Sequence, residues 1–317
     1  MRRFLLVLLS ALVLVPASHA AVLLGVAGDA ARFEALTGQR SSVGHVFLGW
    51  GQGYTWGRQF EVWFPMLDPV PMIGFGTKGL GGGEYITPAG IANGRGDPYL
   101  IDLNREAARW GGPMYVRPMA EMNGHWNYYC AFNSNGTRRN AAHSQGNFRN
   151  AFRRIYLIMH GGSKATIDWR LAKWGMPPLR SAGDLPAIPY PQMRVLWNPQ
   201  GYGSPDVAGN SAQAYYPGDN FVDVVGNDLY DIRFNAEWEA NEKLYAAHPT
   251  KPYGIGEWGL WGIDDPAFVR RMANFVKTHR RVQVIVFYKS QRTSTTFDIG
   301  WKPRSRAAYR AYITPLG

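Results

Sequence analysis

Cysteine is almost absent from this sequence: Cys130 is the single one among 317 residues. One thiol can form no disulfide bond within the chain and cannot assemble a thiolate metal cluster. The seven histidines form no HExxH motif and no HxH pair, which are spacings that metal sites commonly use. We therefore expect the fold to be stabilised by packing alone, with no metal and no other cofactor.

Long hydrophobic runs are missing after the first 20 residues, and no later stretch approaches the roughly 18 to 20 apolar residues that span a bilayer. The opening stretch, MRRFLLVLLSALVLVPASHA, has two arginines before an apolar run and ends in small residues. A membrane anchor is the alternative, but this run is short and contains Pro16. The pattern predicts a signal peptide over residues 1–20, cleaved near Ala20, and a secreted or periplasmic protein without stable membrane insertion.

Negative charge is in the minority, since 34 Lys and Arg against 23 Asp and Glu give a formal net charge of +11. The basic residues are scattered, apart from short pairs such as Arg138-Arg139, so no nucleic-acid-binding face is predicted. No GxGxxG or GxxxxGK[ST] motif follows the first predicted strand, and the GxSxG elbow of serine hydrolases is missing. We expect a monomer that binds no nucleic acid.

Eight apolar, β-rich runs recur along residues 21–317, and helix-like stretches lie between most of them. Apolar residues in those stretches recur at spacings of three and four, as in FRNAFRRIYLIMH. Alternating helices and apolar strands predict parallel pairing, and eight units fit a single-domain (β/α)8 TIM barrel. A doubly wound open sheet is the alternative. The interval 161–190 reads as an extra helix and a proline-rich excursion. The eight runs are AVLLGVA, HVFLGW, VPMIGFG, PMYVRPM, MRVLWN, VDVVGNDLY, KPYGIGEW and VQVIVFY.

Aromatic residues are plentiful, at 14% of the chain with 12 tryptophans. Several tryptophans lie beside glycine and asparagine, as in GWGQGYTWG and NGHWNYY. Most tryptophans are core residues, but an aromatic ring at a strand end can also pack on the apolar face of a pyranose. The composition favours a sugar-binding cleft.

Two glutamates follow the fourth and seventh runs, Glu121 in RPMAEMNGHW and Glu257 in GIGEWG. The catalytic groups of a (β/α)8 barrel lie at the C-terminal ends of its strands, so both should face the barrel mouth. A carboxylate pair about 5 to 5.5 Å apart suits a retaining glycosidase, in which one carboxylate attacks the anomeric carbon and the other protonates the leaving oxygen. The acid must keep its proton near neutral pH through burial and like-charge repulsion.

Three segments together resemble glycoside hydrolase family 26, whose barrels are best known as β-mannanases. They are RPMAEMNGHW at 117–126, YYPGDNFVDVVGNDLYD at 215–231 and KPYGIGEWG at 251–259. The resemblance implies that Glu121 is the acid/base and Glu257 the nucleophile. It also implies that Trp126 lines the subsites at the cleavage point and that Tyr230 hydrogen-bonds the nucleophile, with core packing as the alternative for both.

Further substrate-binding candidates come from the strand ends and from the same motifs. Trp197 and Asn198 end the fifth strand, Arg117 and Trp258 belong to the family-like motifs, and Tyr288 ends the eighth strand where the family has a sugar-platform tryptophan. Each would contribute stacking area or hydrogen bonds to a sugar.

Two departures from the family pattern bear on the substrate. Ala120 stands where the family commonly has histidine before the acid/base, and Tyr288 replaces the platform tryptophan. Losing a polar contact changes discrimination among hydroxyl epimers by about 1 to 3 kcal/mol. The sequence predicts a retaining, endo-acting, β-mannanase-like glycoside hydrolase. Xylan, mixed-linkage glucan or a matrix exopolysaccharide are alternative substrates, and a noncatalytic polysaccharide-binding barrel is the alternative function.

Overall fold

The computed structural model describes residues 21–181, 183–289 and 295–317. The signal peptide predicted over residues 1–20 lies outside the described residues. Eight strands form a closed, all-parallel barrel in sequence order, in which β1 pairs with both β2 and β8. The strands are β1 Leu23–Ala27, β2 Val43–Leu48, β3 Val70–Phe75, β4 Met114–Pro118, β5 Met193–Trp197, β6 Val224–Ile232, β7 Tyr253–Trp261 and β8 Val282–Tyr288.

Helices follow most strands and form the outer layer, so the predicted (β/α)8 barrel is confirmed. Within the described residues they are α1 Ala30–Thr37, α2 Phe60–Met66, α3 Pro88–Ala92, α4 Asp97–Trp110, α5 Gln145–His160, α6 Lys164–Ala172, α7 Trp238–Ala247, α8 Pro266–Thr278 and α9 Pro303–Ala308. In the same part of the chain, no helix has the length and apolar character needed to cross a bilayer.

The apolar core is divided between the inside and the outside of the barrel. A large cluster packs between the strands and the helices. A smaller one fills the barrel interior with inward-facing side chains, because strand residues alternate between the two faces. Its buried members are Ala27, Val43, Val70, Met72, Tyr115, Leu196, Val224, Val284 and Val286. The polar residues of the barrel interior that concern function lie beyond this smaller cluster, towards the C-terminal ends of the strands.

The predicted helix and proline-rich excursion in 161–190 are confirmed, and a buried ion pair ties this segment to the barrel. Arg154 of α5 donates to both carboxylate oxygens of Asp97 at 2.6 Å, which joins α5 to α4. The same guanidinium donates to the carbonyls of Pro177 and Pro178, and the amide of Arg180 donates to Asp97. The proline-rich excursion is therefore held against α4 and α5 by hydrogen bonds to a buried ion pair.

Candidate active site

Glu121 lies three residues beyond the end of β4, in a backbone conformation that is unusual for a residue with a side chain. Its φ is +52°, and that of Met119 is +47°. Among the described residues, the other two non-glycine residues with positive φ are Arg233 and Phe234, just after β6. All four lie at the C-terminal end of the barrel. Such conformations concentrate at functional sites because the surrounding structure must enforce them.

A β-bulge in β7 aims Glu257 into the barrel. Asn227 of β6 pairs with Ile255 and the next residue, Asp228, pairs with Glu257, so Gly256 is the extra residue. A Cβ on Gly256 would lie 2.8 Å from Nε of Arg117 and still closer to the Asn198 amide, so only glycine fits there. The bulge places Glu257 on the interior face, beside Arg117.

Two donors hold the carboxylate of Glu257. Arg117 Nη1 donates to its Oε1 at 2.5 Å, and the Tyr230 hydroxyl donates to its Oε2 at 2.7 Å. Arg117 is only 2% exposed, so this ion pair is shielded from water. Both donors hydrogen-bond the carboxylate and fix its orientation towards the cleft.

Glu121 has neutral donors in place of a direct ion pair. Trp126 Nε1 donates to its Oε2 at 2.8 Å, and the Gln200 amide donates to its Oε1. Burial, followed by the negative charge of Glu257, raises the pKa of Glu121 above its usual value. A raised pKa keeps a carboxyl group protonated towards neutral pH, as a general acid requires.

Asn123 sets the position of Gln200. Its side-chain oxygen accepts from the backbone N–H of Gln200 at 2.9 Å, and its side-chain nitrogen donates to the backbone carbonyl of Gln200 at the same distance. In addition, the Glu121 amide donates to the Asn198 carbonyl at 2.7 Å. The loop after β4 and the loop after β5 are thereby fixed to each other.

A third carboxylate, that of Asp228, lies beneath the two glutamates. It forms a fully buried ion pair with Arg117. Burial raises the pKa of Asp228 well above its usual value; Arg117 opposes the rise, and the charges of Glu257 and Glu121 add to it. Two carboxylates thus share one guanidinium with a third carboxyl group nearby, which favours keeping a proton within the group.

The two glutamates open into a cavity of about 830 Å3 at the C-terminal mouth. Six of its fifteen lining residues are aromatic, and Trp126 and Trp261 are each 49% exposed. Exposed indole faces at a polar cleft suit stacking on sugar rings. The lining residues are Glu121, Trp126, Gln200, Tyr202, Asp228, Leu229, Tyr230, Ile232, Arg233, Asn235, Glu237, Glu257, Trp261, Tyr288 and Phe297.

Five of the nine predicted site residues line this cavity: Glu121, Glu257, Trp126, Tyr230 and Tyr288. The assignments of Arg117 and Asn198 to substrate contact are corrected. Both are buried and do not line the cavity, because the carboxylates of Asp228 and Glu257 engage Arg117 and the Asn198 amide lies beside Asp228. They support the carboxylates from below.

The assignments of Trp197 and Trp258 to the cleft are also corrected. Trp197 packs outside the barrel against Tyr216 and His248, because neighbouring strand residues face opposite sides and Asn198 takes the inner one. Trp258 follows the bulge on the outer face and stacks on Tyr309 with ring centroids 5.5 Å apart. Both indoles are core residues with no exposed surface.

Five further residues of the cavity were not predicted from the sequence: Asp228, Gln200, Tyr202, Trp261 and Phe297. Alternation offered a signal for two of them: Asp228 lies two residues before Tyr230, and Trp261 lies four residues after Glu257, so each shares its neighbour's face. Gln200 depends on the contact with Asn123 across 77 residues. No local sequence pattern predicts such a contact.

Potential metal ligands are dispersed over the part of the chain that the structure describes. No group of three His, Cys, Asp or Glu side chains there is arranged to hold a metal ion. The carboxylates of the cleft instead engage Arg117 and neutral donors.

Several solved structures share this fold. An endo-β-1,4-mannanase from Cellulomonas fimi superposes with a TM-score of 0.59 at 16% identity, over 92% of this chain and 70% of that one. A family 26 β-mannanase from Bacteroides ovatus superposes with a TM-score of 0.58 at 15% identity, over 93% and 88% of the two chains. The mannanase man26 of Bacillus subtilis gives a TM-score of 0.57 at 15% identity, over 92% and 85%. The resemblance to family 26 seen in the motifs is thus confirmed at the level of the fold.

Sequence comparison adds a curated relative. Endoglucanase H of Acetivibrio thermocellus is 22% identical over 293 residues, which is 89% of this chain and 28% of that protein. The chain therefore spans about 28% of the length of that curated relative. No family model matches the sequence.

Proposed function

We propose that this chain is an exported, retaining glycoside hydrolase of the family 26 type that cleaves β-linked polysaccharide internally. The observation that carries the proposal is the pair Glu121 and Glu257, which lie beyond β4 and on β7 at one aromatic cavity in contrasting environments. The fold of several mannanases and the relation to an endoglucanase support the same class of substrate. A monomer suffices, since both glutamates belong to one chain.

The first half of the reaction uses the difference between the two glutamates. Glu257, ionised beside Arg117, attacks the anomeric carbon. Glu121 gives its proton to the leaving oxygen, and the glycosidic bond breaks as the bond to Glu257 forms. The departing half of the polysaccharide leaves with a free hydroxyl group.

The second half returns both groups to their starting states. Glu121, now ionised, takes a proton from a water molecule that attacks the glycosyl-enzyme. The bond to Glu257 breaks, and the sugar is released with its original anomeric configuration. The Tyr230 hydroxyl and Arg117 stabilise the carboxylate that reappears.

The substrate we propose first is a β-mannan, with xylan, mixed-linkage glucan and a matrix exopolysaccharide as the alternatives within the class. Trp126, Tyr202, Tyr230 and Trp261 supply apolar faces for pyranose rings. Ala120 offers the acid/base no polar side chain where the family commonly has histidine, and Tyr288 presents a smaller ring than the family tryptophan. We therefore expect unsubstituted β-1,4-mannan not to be the best substrate.

The test is release of reducing ends from purified mannan, glucomannan, xylan and mixed-linkage glucan. We expect turnover of at least one glycan and an early fall in its viscosity, as internal cleavage requires. The Glu257→Ala protein is the control. Binding without turnover by the wild type would favour a noncatalytic polysaccharide-binding barrel and reject the proposal.

A further inference from the structure

A two-residue turn at the rim of the cavity carries an unexpected pair of residues. The backbone N–H of Asn235 donates to the Ile232 carbonyl at 3.0 Å, which closes a tight turn after β6. The central residues are Arg233 and Phe234, with φ of +57° and +62°. Positive φ at both central positions is the mark of a type I′ turn, which strongly prefers Asn-Gly or a similar pair.

The conformation works against both side chains. The left-handed region brings Cβ close to the following carbonyl oxygen, so residues other than Gly, Asn and Asp adopt it at a cost. Arg and Phe have no short side chain that could hydrogen-bond locally to offset that cost. Stability alone therefore does not explain why these two residues occupy the turn.

Arg233 occupies a place where a charge can meet substrate. It lines the cavity that holds Glu121 and Glu257, and Phe234 beside it is 68% exposed. Across residues 21–181, 183–289 and 295–317, no ion pair or side-chain hydrogen bond involving Arg233 is present. Arg117, the other arginine of the site, is already engaged by two carboxylates. Among the described residues that line the cleft, Arg233 is thus the guanidinium that remains available.

The charge of the cavity sharpens the argument. The carboxyl groups of Glu121, Asp228, Glu237 and Glu257 all line it, and those that are ionised would repel an anionic sugar unless a cation offset the repulsion. A neutral glycan needs no such cation. A guanidinium matches the planar, bidentate geometry of a carboxylate.

We infer that Arg233 binds the carboxylate of an acidic sugar unit, so that the preferred substrate is a β-linked polysaccharide bearing uronate groups. This inference rests on the proposed function and narrows its substrate class. Arg233 lies at the rim, on the β6 side of the cavity, and selects the acidic unit while Glu121 and Glu257 act on the glycosidic bond. The strained turn holds Arg233 where it meets that unit.

The test compares two forms of one glycan. Glucomannan is partly oxidised to uronate at C6, and half of the sample is then reduced back to the neutral polymer. We expect wild-type kcat/KM to favour the acidic form by about tenfold or more, the range of a charge-assisted hydrogen bond. Raising the salt concentration should diminish this preference, because screening weakens an exposed ion pair.

Three variants isolate the role of Arg233. Arg233→Asn removes the charge while placing in the turn a residue that tolerates positive φ, so its melting temperature should equal or exceed that of the wild type. Its acidic-to-neutral ratio should fall to about one. Arg233→Lys should retain part of the preference. Arg270→Gln, an exposed charge change on α8, should leave the ratio at the wild-type value.

A ratio near one for the wild type, or a full preference in Arg233→Asn, overturns the inference. Calorimetric binding of oligosaccharides from the two glucomannan forms gives the same ratio without turnover. Cleavage without an acidic preference rejects the role of Arg233 and leaves the proposed function standing. Preferential binding of the acidic form without any cleavage rejects the proposed function and supports the subsite.

Discussion

Glu121 and Glu257 are two glutamates that line the same cavity at the barrel mouth but lie in different environments. Glu257 accepts from Arg117 at 2.5 Å and from Tyr230 at 2.7 Å on a regular strand interrupted by one bulge. Glu121 accepts from Trp126 and Gln200 and lies in a loop with left-handed backbone. The first has a buried cation in direct contact, and the second has only neutral donors.

That difference separates the chemistry the two side chains can perform. Arg117 and the Tyr230 hydroxyl hold the carboxylate of Glu257, whereas burial and the negative charge of Glu257 raise the pKa of Glu121. The barrel therefore supplies a base-like carboxylate and an acid-like carboxyl group from one residue type.

The largest effect is expected from Glu257→Ala. No glycosyl-enzyme can form without the attacking carboxylate, so kcat/KM should fall by at least about a thousandfold on every substrate. The measurement is release of reducing ends from the best glycan of the panel. Glu239→Ala, which removes an exposed glutamate on α7, is the matched control and should retain wild-type activity. Retention of a tenth of the activity by Glu257→Ala would exclude the assigned role.

Glu121→Ala should have a smaller effect that depends on the substrate. Activity on polysaccharide should fall by about 10²- to 10⁴-fold, because the leaving oxygen then departs without a proton. Aryl glycosides with acidic leaving groups need no such proton and should be spared in their first step. Added azide should then accelerate turnover by intercepting the glycosyl-enzyme. An equal response of both glutamate variants to leaving-group acidity would show that the roles are wrongly assigned.

Gln200→Leu tests whether a neutral donor adjusts the acid. The Gln200 amide donates to the ionised form of Glu121, so its removal should raise the pKa of Glu121 further. Since the protonated acid is needed, kcat/KM declines as pH rises through that pKa, and the decline should move to higher pH in the variant. At neutral pH we expect a loss of about three- to tenfold from poorer positioning. An unshifted pH profile would restrict Gln200 to a packing role.

The smallest effect is expected at Asp231, a buried acid that forms no ion pair with any described residue. Burial and the neighbouring Asp265 raise the pKa of Asp231 to about 6. The folded state therefore binds a proton more tightly than the unfolded state, and the free energy of unfolding should fall as pH rises from about 4 to about 6.

Asp231→Asn removes this loss of stability. Above pH 6 the variant should be more stable than the wild type by about 1 to 3 kcal/mol, and the difference should vanish at low pH. Denaturant unfolding at pH 4 and pH 7 measures both values. A variant less stable than the wild type at pH 7 would mean that the Asp231 carboxylate makes favourable contacts while ionised.

The contrast between the two glutamates also shows which features a sequence can reveal. Strand ends are visible as apolar runs followed by polar residues, so Glu121 and Glu257 could be placed at the mouth. Successive residues of a strand place their side chains on opposite faces of the barrel, so Trp197 points outward and Asn198 points inward. Applying that alternation to β5 would have removed Trp197 from the cleft.

Other features depend on contacts that only the folded chain brings together. The bulge at Gly256 breaks the alternation of β7, and a side chain there would collide with Arg117 of β4 and with Asn198, which follows β5. Asn123 fixes Gln200 from a loop 77 residues away. Tertiary packing determines such positions, so neither local propensity nor residue spacing predicts them.

The central claim is that Glu257 alone becomes covalently bonded to sugar. An activated 2-deoxy-2-fluoro-β-glycoside of the sugar cleaved most rapidly slows the second step and lets the glycosyl-enzyme accumulate, and peptide mass spectrometry then locates the label. The account predicts one label per chain, on Glu257 within the segment KPYGIGEWG. A label on Glu121, or turnover without any covalent adduct and with inversion at the anomeric carbon, would contradict it.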